Sequence, residues 1–179
     1  MKIRRGFVSN SSSSSFIVAF MKLPTNVREM AELLFGKDVK DSSTYLGDYA
    51  AGRGWPVFQV AEDVFKDFQE GQPLSDEKAA EEVSRGYYDG YPQFPNYWEE
   101  KDGEQVQVSE EETKVRWKKF NDQVKNGGKK LFKQFMKQFD GGEKPQLYVF
   151  SYADETDYGS ALEHGDLFKR LPHLRISHH

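Results

Sequence analysis

The amino-acid sequence contains no cysteine in its 179 residues. This absence excludes disulfide bonds, zinc sites built on thiolates and catalysis by a thiol nucleophile. Disulfides are the usual marker of a secreted protein, so we expect this one to be intracellular. A chain of this length buries about two thirds of the surface that its unfolded form exposes. A single domain of this size can therefore be stable without a covalent cross-link.

Long apolar runs and an excess of positive charge are also missing. No apolar stretch approaches the length of about twenty residues that a membrane-spanning helix needs. The formal net charge is −4 at pH 7, whereas proteins that bind nucleic acids by bulk attraction to phosphate carry a strong positive excess. These properties argue against a membrane partner and against a nucleic-acid partner. One local exception is residues 114–137, which predict a basic helix whose lysines form either a solvated face or a phosphate-binding face.

Strand signals lie near both ends of the chain. Residues 16–22 carry apolar side chains on both alternating faces, with Lys22 as the exception at the end, which predicts a central strand that is buried on both sides. Residues 147–153 and 174–178 predict two further strands. We therefore expect one α+β domain over residues 1–179, with an antiparallel or mixed sheet of three or more strands. Both chain ends form this sheet, and helices from the middle of the chain pack on it.

The middle of the chain is predominantly helical in pattern. Apolar periodicity and capping residues predict helices over 27–34, 57–68 and 76–85, and a further helix after the capping-box pair Ser109 and Glu112. The last helix meets Gly127 and Gly128, where two helices and one helix broken at the glycines fit the pattern equally well. Residues 155–161 indicate a turn, and residues 162–171 predict a short helix before the last strand.

The densest chemical signal is the C-terminal group of histidines and carboxylates. All four histidines lie between residues 164 and 179, among several aspartates and glutamates that can bind a metal ion or transfer protons. The predicted positions favour a divalent-metal site made by Asp154, His164 and His178. Glu163 is the next candidate, and His164 and Glu163 are candidates for acid–base catalysis. Because Glu163 and His164 are adjacent on a helix, we expect at most one of them to face the same ligand as Asp154. No HExxH zinc motif is present, and a solvent-exposed polar turn remains an alternative for the whole group.

The run of serines at residues 11–15 has three interpretations. Such a composition is typical of a flexible tail. Alternatively, it is an anion-binding loop in which backbone N–H groups and hydroxyls hold a phosphate, with residues Arg4, Arg5, Ser11, Ser12 and Ser13 in the site. The third interpretation is a structural loop whose hydroxyls satisfy backbone groups beside a sheet. The apolar residues on either side indicate that both flanks are packed, and we expect the serines to lie beside the histidine-bearing segment.

An aromatic segment at about residues 86–108 interrupts the helical pattern. It contains prolines and glycines among its aromatic residues and therefore cannot form regular structure throughout. Packing in the core is one interpretation. The other is a recognition surface for a partner, with Tyr88, Tyr91, Tyr97 and Trp98 as the contact residues, because tyrosine and tryptophan supply large contact areas at low entropic cost.

Two stretches of the sequence are similar to a known group. The opening RRGFVSNSSSSSF at residues 4–16 resembles the start of many small bacteriophage and bacterial proteins, and LEHGDLFKRLPHLRISHH at residues 162–179 resembles the ends of some of them. The resemblance covers about a sixth of the chain and carries no reaction with it. It implies a phage or mobile-element protein that acts in the cytoplasm of a bacterial cell.

Two functions follow from these patterns. The first is a binding protein that engages a host or virion protein through the aromatic segment and the acidic C-terminal turn. The second is a divalent-metal-dependent phosphoester hydrolase or nucleotide-binding enzyme, in which the histidine–carboxylate group acts together with the serine run.

Overall fold

The apolar run that follows the serines forms the central strand of a three-stranded antiparallel sheet. The computed structural model describes residues 13–47, 53–88 and 91–178. The helices in this part of the chain are α1 (Val27–Phe35), α2 (Val57–Glu70), α3 (Asp76–Val83), α4 (Glu110–Met136) and α5 (Asp157–His164). The strands are β1 (Ser13–Phe20), β2 (Thr44–Tyr45), β3 (Trp55–Pro56), β4 (Trp98–Lys101), β5 (Glu104–Gln107), β6 (Gln146–Ala153) and β7 (His173–His178).

Both ends of the described chain meet in the main sheet, whose strand order is β6-β1-β7. Both neighbours of β1 run antiparallel to it, and Ser13 lies opposite Ala153 on one side and His178 on the other. The α+β class and the predicted sheet from both chain ends are therefore confirmed. None of the described helices combines the length with the apolar composition that a membrane span requires.

Strand β1 is covered by helices on both faces. Phe16, Val18 and Phe20 face a core that includes residues of α1, α2 and α5. Ile17 and Ala19 face a second core, formed with residues of α3 and α4. Because successive side chains of a strand point to opposite faces, every residue of β1 is assigned to one of these two sides. We call them the α5 side and the α4 side of the sheet.

Helix α4 runs without a break through Gly127 and Gly128, so both interpretations of the sequence, two helices and one helix broken at the glycines, were wrong. The two glycines lie where other parts of the chain approach α4 closely. A Cβ atom at Gly127 would overlap the Tyr88 hydroxyl, and one at Gly128 would overlap Ser84. The glycines therefore serve close packing on the α4 side and do not end the helix.

Part of the aromatic segment forms a hairpin, which differs from the irregular structure expected for it. Strands β4 and β5 pair antiparallel around Asp102 and Gly103, which have φ angles of 55° and 83°. Two successive residues with positive φ make the turn type that Asp-Gly favours between two strands.

The C-terminal helix lies earlier in the chain than predicted. The turn predicted at 155–161 and the helix predicted at 162–171 are replaced by helix α5 at Asp157–His164 and by an irregular segment at 165–172. The side chain of Thr156 accepts a hydrogen bond from the Gly159 N–H and caps the helix at its N-terminus. A threonine between acidic residues is typical of a polar turn as well as of a helix cap, and this ambiguity explains the displaced boundaries.

Candidate functional site

Two of the three predicted metal ligands, Asp154 and His164, lie together with the next candidate, Glu163, at one end of the main sheet. Asp154, Glu163 and His164 each place one ligand atom within 4.8 Å of the ligand atoms of the other two. Asp154 directly follows β6, and Glu163 and His164 occupy the last turn of α5. The expectation that only one of the two helical residues would face Asp154 was wrong, because both lie at the helix end and their long side chains converge.

The connection between β6 and α5 determines this arrangement. Only three residues separate the strand from the helix, and Thr156 caps the helix at once. Gly159 permits the close approach, because a Cβ atom there would overlap the carbonyl oxygen of Ala153. Helix α5 therefore folds back on β6 and brings its C-terminal turn to the α5 side of the sheet.

Glu163 is a carboxylic acid with no solvent exposure. Its Oε1 atom accepts a hydrogen bond of 3.1 Å from the hydroxyl of Ser14, which is also fully buried. Transfer of a carboxylate from water into a protein interior is unfavourable unless hydrogen bonds or opposite charges compensate for the lost hydration. Ser14 supplies one such hydrogen bond from the central strand.

His164 lies between Glu163 and Arg175. Its Nε2 atom is 3.7 Å from Glu163 Oε2, and its Nδ1 atom is 3.3 Å from Arg175 Nη2. A guanidinium group can only donate hydrogen bonds, so Nδ1 accepts in this contact and the ring proton of the neutral imidazole is on Nε2. The imidazole is thus oriented toward Glu163 on one side and held by Arg175 on the other.

Arg175 extends the group to the edge strand β7. Its Nε atom donates to the Ser14 hydroxyl at 3.3 Å, and its guanidinium carbon lies 5.8 Å from the centroid of the Phe16 ring. The residue as a whole is exposed, whereas Ser14 and Glu163 are buried. The group therefore has a closed inner end at Ser14 and Glu163 and an open outer end at Arg175.

Two carboxylates and one imidazole form a ligand set that suits divalent ions such as Zn²⁺, Mn²⁺ and Fe²⁺. Three protein ligands leave coordination positions for water or substrate, which is typical of catalytic metal sites. Arg175 adds a positively charged donor beside these ligands. The arrangement can therefore bind a metal ion next to an anionic group.

A tyrosine–aspartate network lies on the same side of the sheet. Tyr158 donates its hydroxyl hydrogen to Asp63 Oδ2 at 2.6 Å, and Tyr152 donates to Asp67 Oδ2 at 3.4 Å. Burial is the main cause that raises the pKa of both phenols, and the neighbouring aspartates raise it further. These phenols stay protonated at neutral pH and act as hydrogen-bond donors.

The prediction that His178 completes the metal site needs correction. His178 shares a hydrogen bond of 3.0 Å with the Ser15 hydroxyl, and its Nδ1 atom would lie 2.8 Å from a Cβ atom at Gly86. Strand alternation places Ser15 on the α4 side, opposite Ser14. The sheet therefore separates His178 from Asp154 and His164, and Glu163 takes its place in the group.

The predicted anion-binding residues are only partly described. Arg4, Arg5, Ser11 and Ser12 lie outside the described residues. Ser13 is the first residue of β1, and alternation places it on the same face as Ser15. Serines 13 to 15 are therefore strand residues, which fits neither a tail nor a loop at these three positions.

Ser14 and Arg175 belong to the group but are not among the site residues predicted from the sequence. A signal for both was present, because alternation puts Ser14 in phase with Phe16 and Arg175 out of phase with Ile176. Since Phe16 and Ile176 face different cores, the two polar residues share the α5 side. The sequence did not show which side also receives the end of α5.

The predicted partner-binding residues divide into buried and exposed ones. Tyr88 is buried and donates its hydroxyl hydrogen to the carbonyl of Val124 at 2.7 Å, so its assignment to a contact surface needs correction. Tyr91 packs against Phe120, with ring centroids 5.8 Å apart. Tyr97 and Trp98 are 45% and 48% exposed, which leaves them accessible for contact.

The basic helix predicted at 114–137 forms part of α4. Its buried apolar residues, Phe120, Val124, Phe132 and Phe135, face the α4 side of the sheet, whereas Val115 and the lysines are exposed. Arg116 forms ion pairs with Glu112 and Glu99. This distribution matches a helix with one buried and one solvated face.

Comparison of the chain with models of known protein families, with curated protein sequences and with solved structures finds no match.

Proposed function

We propose that this protein is a divalent-metal-dependent enzyme that hydrolyses a phosphoester, with the metal ion held by Asp154, Glu163 and His164. The observation that carries the proposal is the convergence of these three side chains within 4.8 Å at the end of the sheet. Their donor set suits a catalytic divalent metal ion. When bound, such an ion polarises a phosphoryl oxygen and lowers the pKa of a coordinated water.

The neighbouring side chains support an anionic substrate. Arg175 lies at the open end of the site and donates to His164 and Ser14. Guanidinium groups bind phosphate oxygens in a bidentate manner and stabilise the charge that develops in phosphoryl transfer. Ser14 orients the buried carboxylate of Glu163 through its hydrogen bond. In this proposal Glu163 and His164 are metal ligands, and Asp154 is the third ligand at the end of β6.

The cellular setting is part of the proposal. The resemblance at residues 4–16 and 162–179 to small bacteriophage and bacterial proteins favours action inside a bacterial cell. Phosphoesters of nucleotides and of nucleic-acid ends are abundant substrates there, and a net charge of −4 favours a small phosphoester over a long polyanion.

The proposal is tested by metal binding and by hydrolysis. Protein freed of metal with EDTA is titrated calorimetrically with Mn²⁺ and Zn²⁺, and hydrolysis of p-nitrophenyl phosphate and bis(p-nitrophenyl) phosphate is followed with each ion. We expect one metal ion per chain and metal-dependent hydrolysis of at least one ester. Failure of the wild-type protein to bind either ion would contradict the proposal.

Matched variants locate the site. Asp154→Asn, Glu163→Gln and His164→Gln keep the size and much of the hydrogen bonding of each side chain while weakening it as a ligand. We expect each of them to reduce metal affinity at least tenfold. Asp166→Asn and His178→Gln are the controls, because Asp166 is an exposed carboxylate two residues after His164 and His178 is on the other face of the sheet. Equal losses in the controls would refute the assignment.

A second function is favoured by the exposed aromatic residues near the hairpin. Phe94, Tyr97 and Trp98 are 53%, 45% and 48% exposed. Tyr97 accepts a hydrogen bond of 2.9 Å from the indole of Trp117, which holds its ring beside α4. These residues support binding of a host or virion protein. The test is capture from bacterial lysate by the wild-type protein and by a Tyr97→Ser/Trp98→Ser variant, and a protein retained equally by both would count against it.

A further inference from the structure

Arg175 has an unusual set of partners for a charged side chain. Its guanidinium donates to the hydroxyl of Ser14 and to the imidazole of His164, which are both uncharged acceptors. Among the residues that the structure describes, no carboxylate lies within ion-pair distance of it. The side chain is exposed at the edge strand β7. Its positive charge is therefore available for a stronger acceptor.

The contact with His164 conflicts with metal binding by that residue. A metal ion on Nδ1 would occupy the position to which Arg175 donates at 3.3 Å. A metal ion on Nε2 would require the ring proton to be on Nδ1, and the guanidinium cannot accept a hydrogen bond from it. The positive charge of Arg175 also repels a divalent ion. Whichever nitrogen binds the metal, the guanidinium has to leave His164.

Release of the Arg175 guanidinium from His164 requires an acceptor that forms stronger hydrogen bonds than the Ser14 hydroxyl and the His164 imidazole. A guanidinium and a phosphate carry opposite charges and form two parallel hydrogen bonds. Such charge-assisted hydrogen bonds are about twice as strong as those between neutral groups. The (CH₂)₃ stem of arginine lets the guanidinium move while the strand stays in place. A phosphate group at the open end of the site can therefore take Arg175 away from the imidazole.

We propose that Arg175 holds His164 in the metal-free protein and that binding of a phosphate group releases it, so that phosphate and metal ion bind cooperatively. This inference rests on the metal site proposed above and adds its regulation. Without an oxyanion, Arg175 competes with the metal ion for His164. With one, the imidazole is free to coordinate, and the guanidinium holds the substrate beside the ion.

Coupling of this kind is reciprocal, because each ligand must change the affinity of the other by the same factor. The experiment measures Mn²⁺ affinity by calorimetry with and without saturating inorganic phosphate, corrected for Mn²⁺–phosphate association in solution. For the wild-type protein we expect phosphate to raise Mn²⁺ affinity by a factor of about 5 to 150. The reverse titration with phosphate should return the same factor.

Substitution of Arg175 separates the competition from the site itself. In Arg175→Gln we expect tighter Mn²⁺ binding than in the wild type when phosphate is absent, and no further change when phosphate is added. Arg175→Lys keeps the charge without the planar fork and should show reduced coupling. Arg170→Gln is the control, because Arg170 is an exposed arginine outside the group, and it should behave like the wild type.

The possible failures are distinguishable. Mn²⁺ binding that phosphate does not change, or that Arg175→Gln weakens, overturns the competition while the proposed metal site stands. Absence of Mn²⁺ binding under all conditions overturns both proposals. Circular dichroism and melting of each variant confirm that the compared proteins are folded.

Discussion

The hydroxyl of Ser14 donates a hydrogen bond of 3.1 Å to the buried carboxylate of Glu163, across 149 positions of the sequence. It joins the central strand to the last turn of α5. Neither residue has appreciable solvent exposure, so water cannot replace the bond if it is lost. Ser14 also accepts a hydrogen bond from Arg175, which makes it the common partner of a buried acid and an exposed base.

Ser14→Ala is therefore expected to destabilise the metal-free protein. A hydrogen bond to a charged group contributes about 1.5 to 3 kcal/mol, and the carboxylate left behind is buried. We expect the free energy of unfolding, measured by urea denaturation in EDTA at pH 7, to fall by about that amount. Ser13→Ala is the matched control at the neighbouring strand position and should change it by about 0.5 kcal/mol or less. Equal effects of the two substitutions would show that the bond to Glu163 contributes nothing specific.

Metal ions are expected to stabilise the fold. A ligand that binds only the native state at a hundred times its dissociation constant adds about 2.7 kcal/mol to the free energy of unfolding. Melting temperatures measured with Mn²⁺ or Zn²⁺ and then with excess EDTA should differ by several degrees. Asp154→Asn should remove this difference, whereas Asp157→Asn, on the same side of the molecule but paired with Arg53, should retain it. A metal-induced shift that survives in Asp154→Asn would place the ion elsewhere.

Gly127→Ala is expected to destabilise the protein, although replacing glycine by alanine inside a helix usually stabilises it. Alanine in place of glycine inside a helix normally stabilises it by about 1 kcal/mol. Here the new methyl group would overlap the Tyr88 hydroxyl, and overpacking costs about 1 to 3 kcal/mol.

Urea denaturation of Gly127→Ala in the wild-type and Tyr88→Phe backgrounds tests this explanation. The cost should be smaller when the hydroxyl is absent. Asn126→Ala, at an exposed position of the same helix, is the control and should be neutral or slightly stabilising. A stabilising Gly127→Ala would mean that Tyr88 does not pack against α4.

The raised pKa of Tyr158 predicts a loss of stability at alkaline pH. Burial and the contact with Asp63 keep this phenol protonated in the native state well above its usual pKa. Below a pH of about 10, both the folded and the unfolded state carry the proton. Above that pH only the unfolded state releases it, so the free energy of unfolding falls as the pH rises.

Denaturation at pH 9, 10 and 11 measures this fall. Tyr158→Phe removes the titrating group, and its free energy of unfolding should therefore decline less steeply than that of the wild type. Tyr97→Phe, with an exposed ring, controls for general alkaline effects. Identical slopes in wild-type and Tyr158→Phe protein would contradict the half-buried, hydrogen-bonded position of Tyr158.

The main sheet was predictable from local patterns. Residues 16–20 are apolar at every position. The strand at 146–153 has an aromatic residue at every second position from Tyr148 to Tyr152, and the strand at 173–178 alternates Leu174 and Ile176 with polar residues. The start of α4 was predictable from the capping residue Ser109. Both kinds of signal are local, because each strand pattern and each helix cap involves only a few neighbouring residues.

The composition of the site was only partly predictable. Asp154, Glu163 and His164 were selected because metal-binding side chains are dense near the C-terminus. The exchange of His178 for Glu163 depends on the start of α5, since a helix that begins at Asp157 instead of 162 brings both Glu163 and His164 to its end. Ser14 and Arg175 become site residues only when the order β6-β1-β7 is known. Register and strand order are long-range properties that no local pattern encodes.

The hairpin at β4 and β5 has a local signal in the sequence. Asp102-Gly103 between two short polar runs is a strong indicator of a two-residue turn. The flanking residues are charged and exposed, so they lack the apolar alternation that usually identifies strands.

The most direct test of the central claim is the position of a bound ion. Crystals grown or soaked with Zn²⁺ or Mn²⁺ are measured near the absorption edge of the metal, and an anomalous difference map locates it without reference to the protein atoms. We expect one strong peak about 2.0 to 2.2 Å from a ligand atom of each of Asp154, Glu163 and His164, with the Arg175 guanidinium displaced from His164. A map in which these three side chains keep their hydrogen bonds and the metal is absent, or lies beside His178 alone, would contradict it.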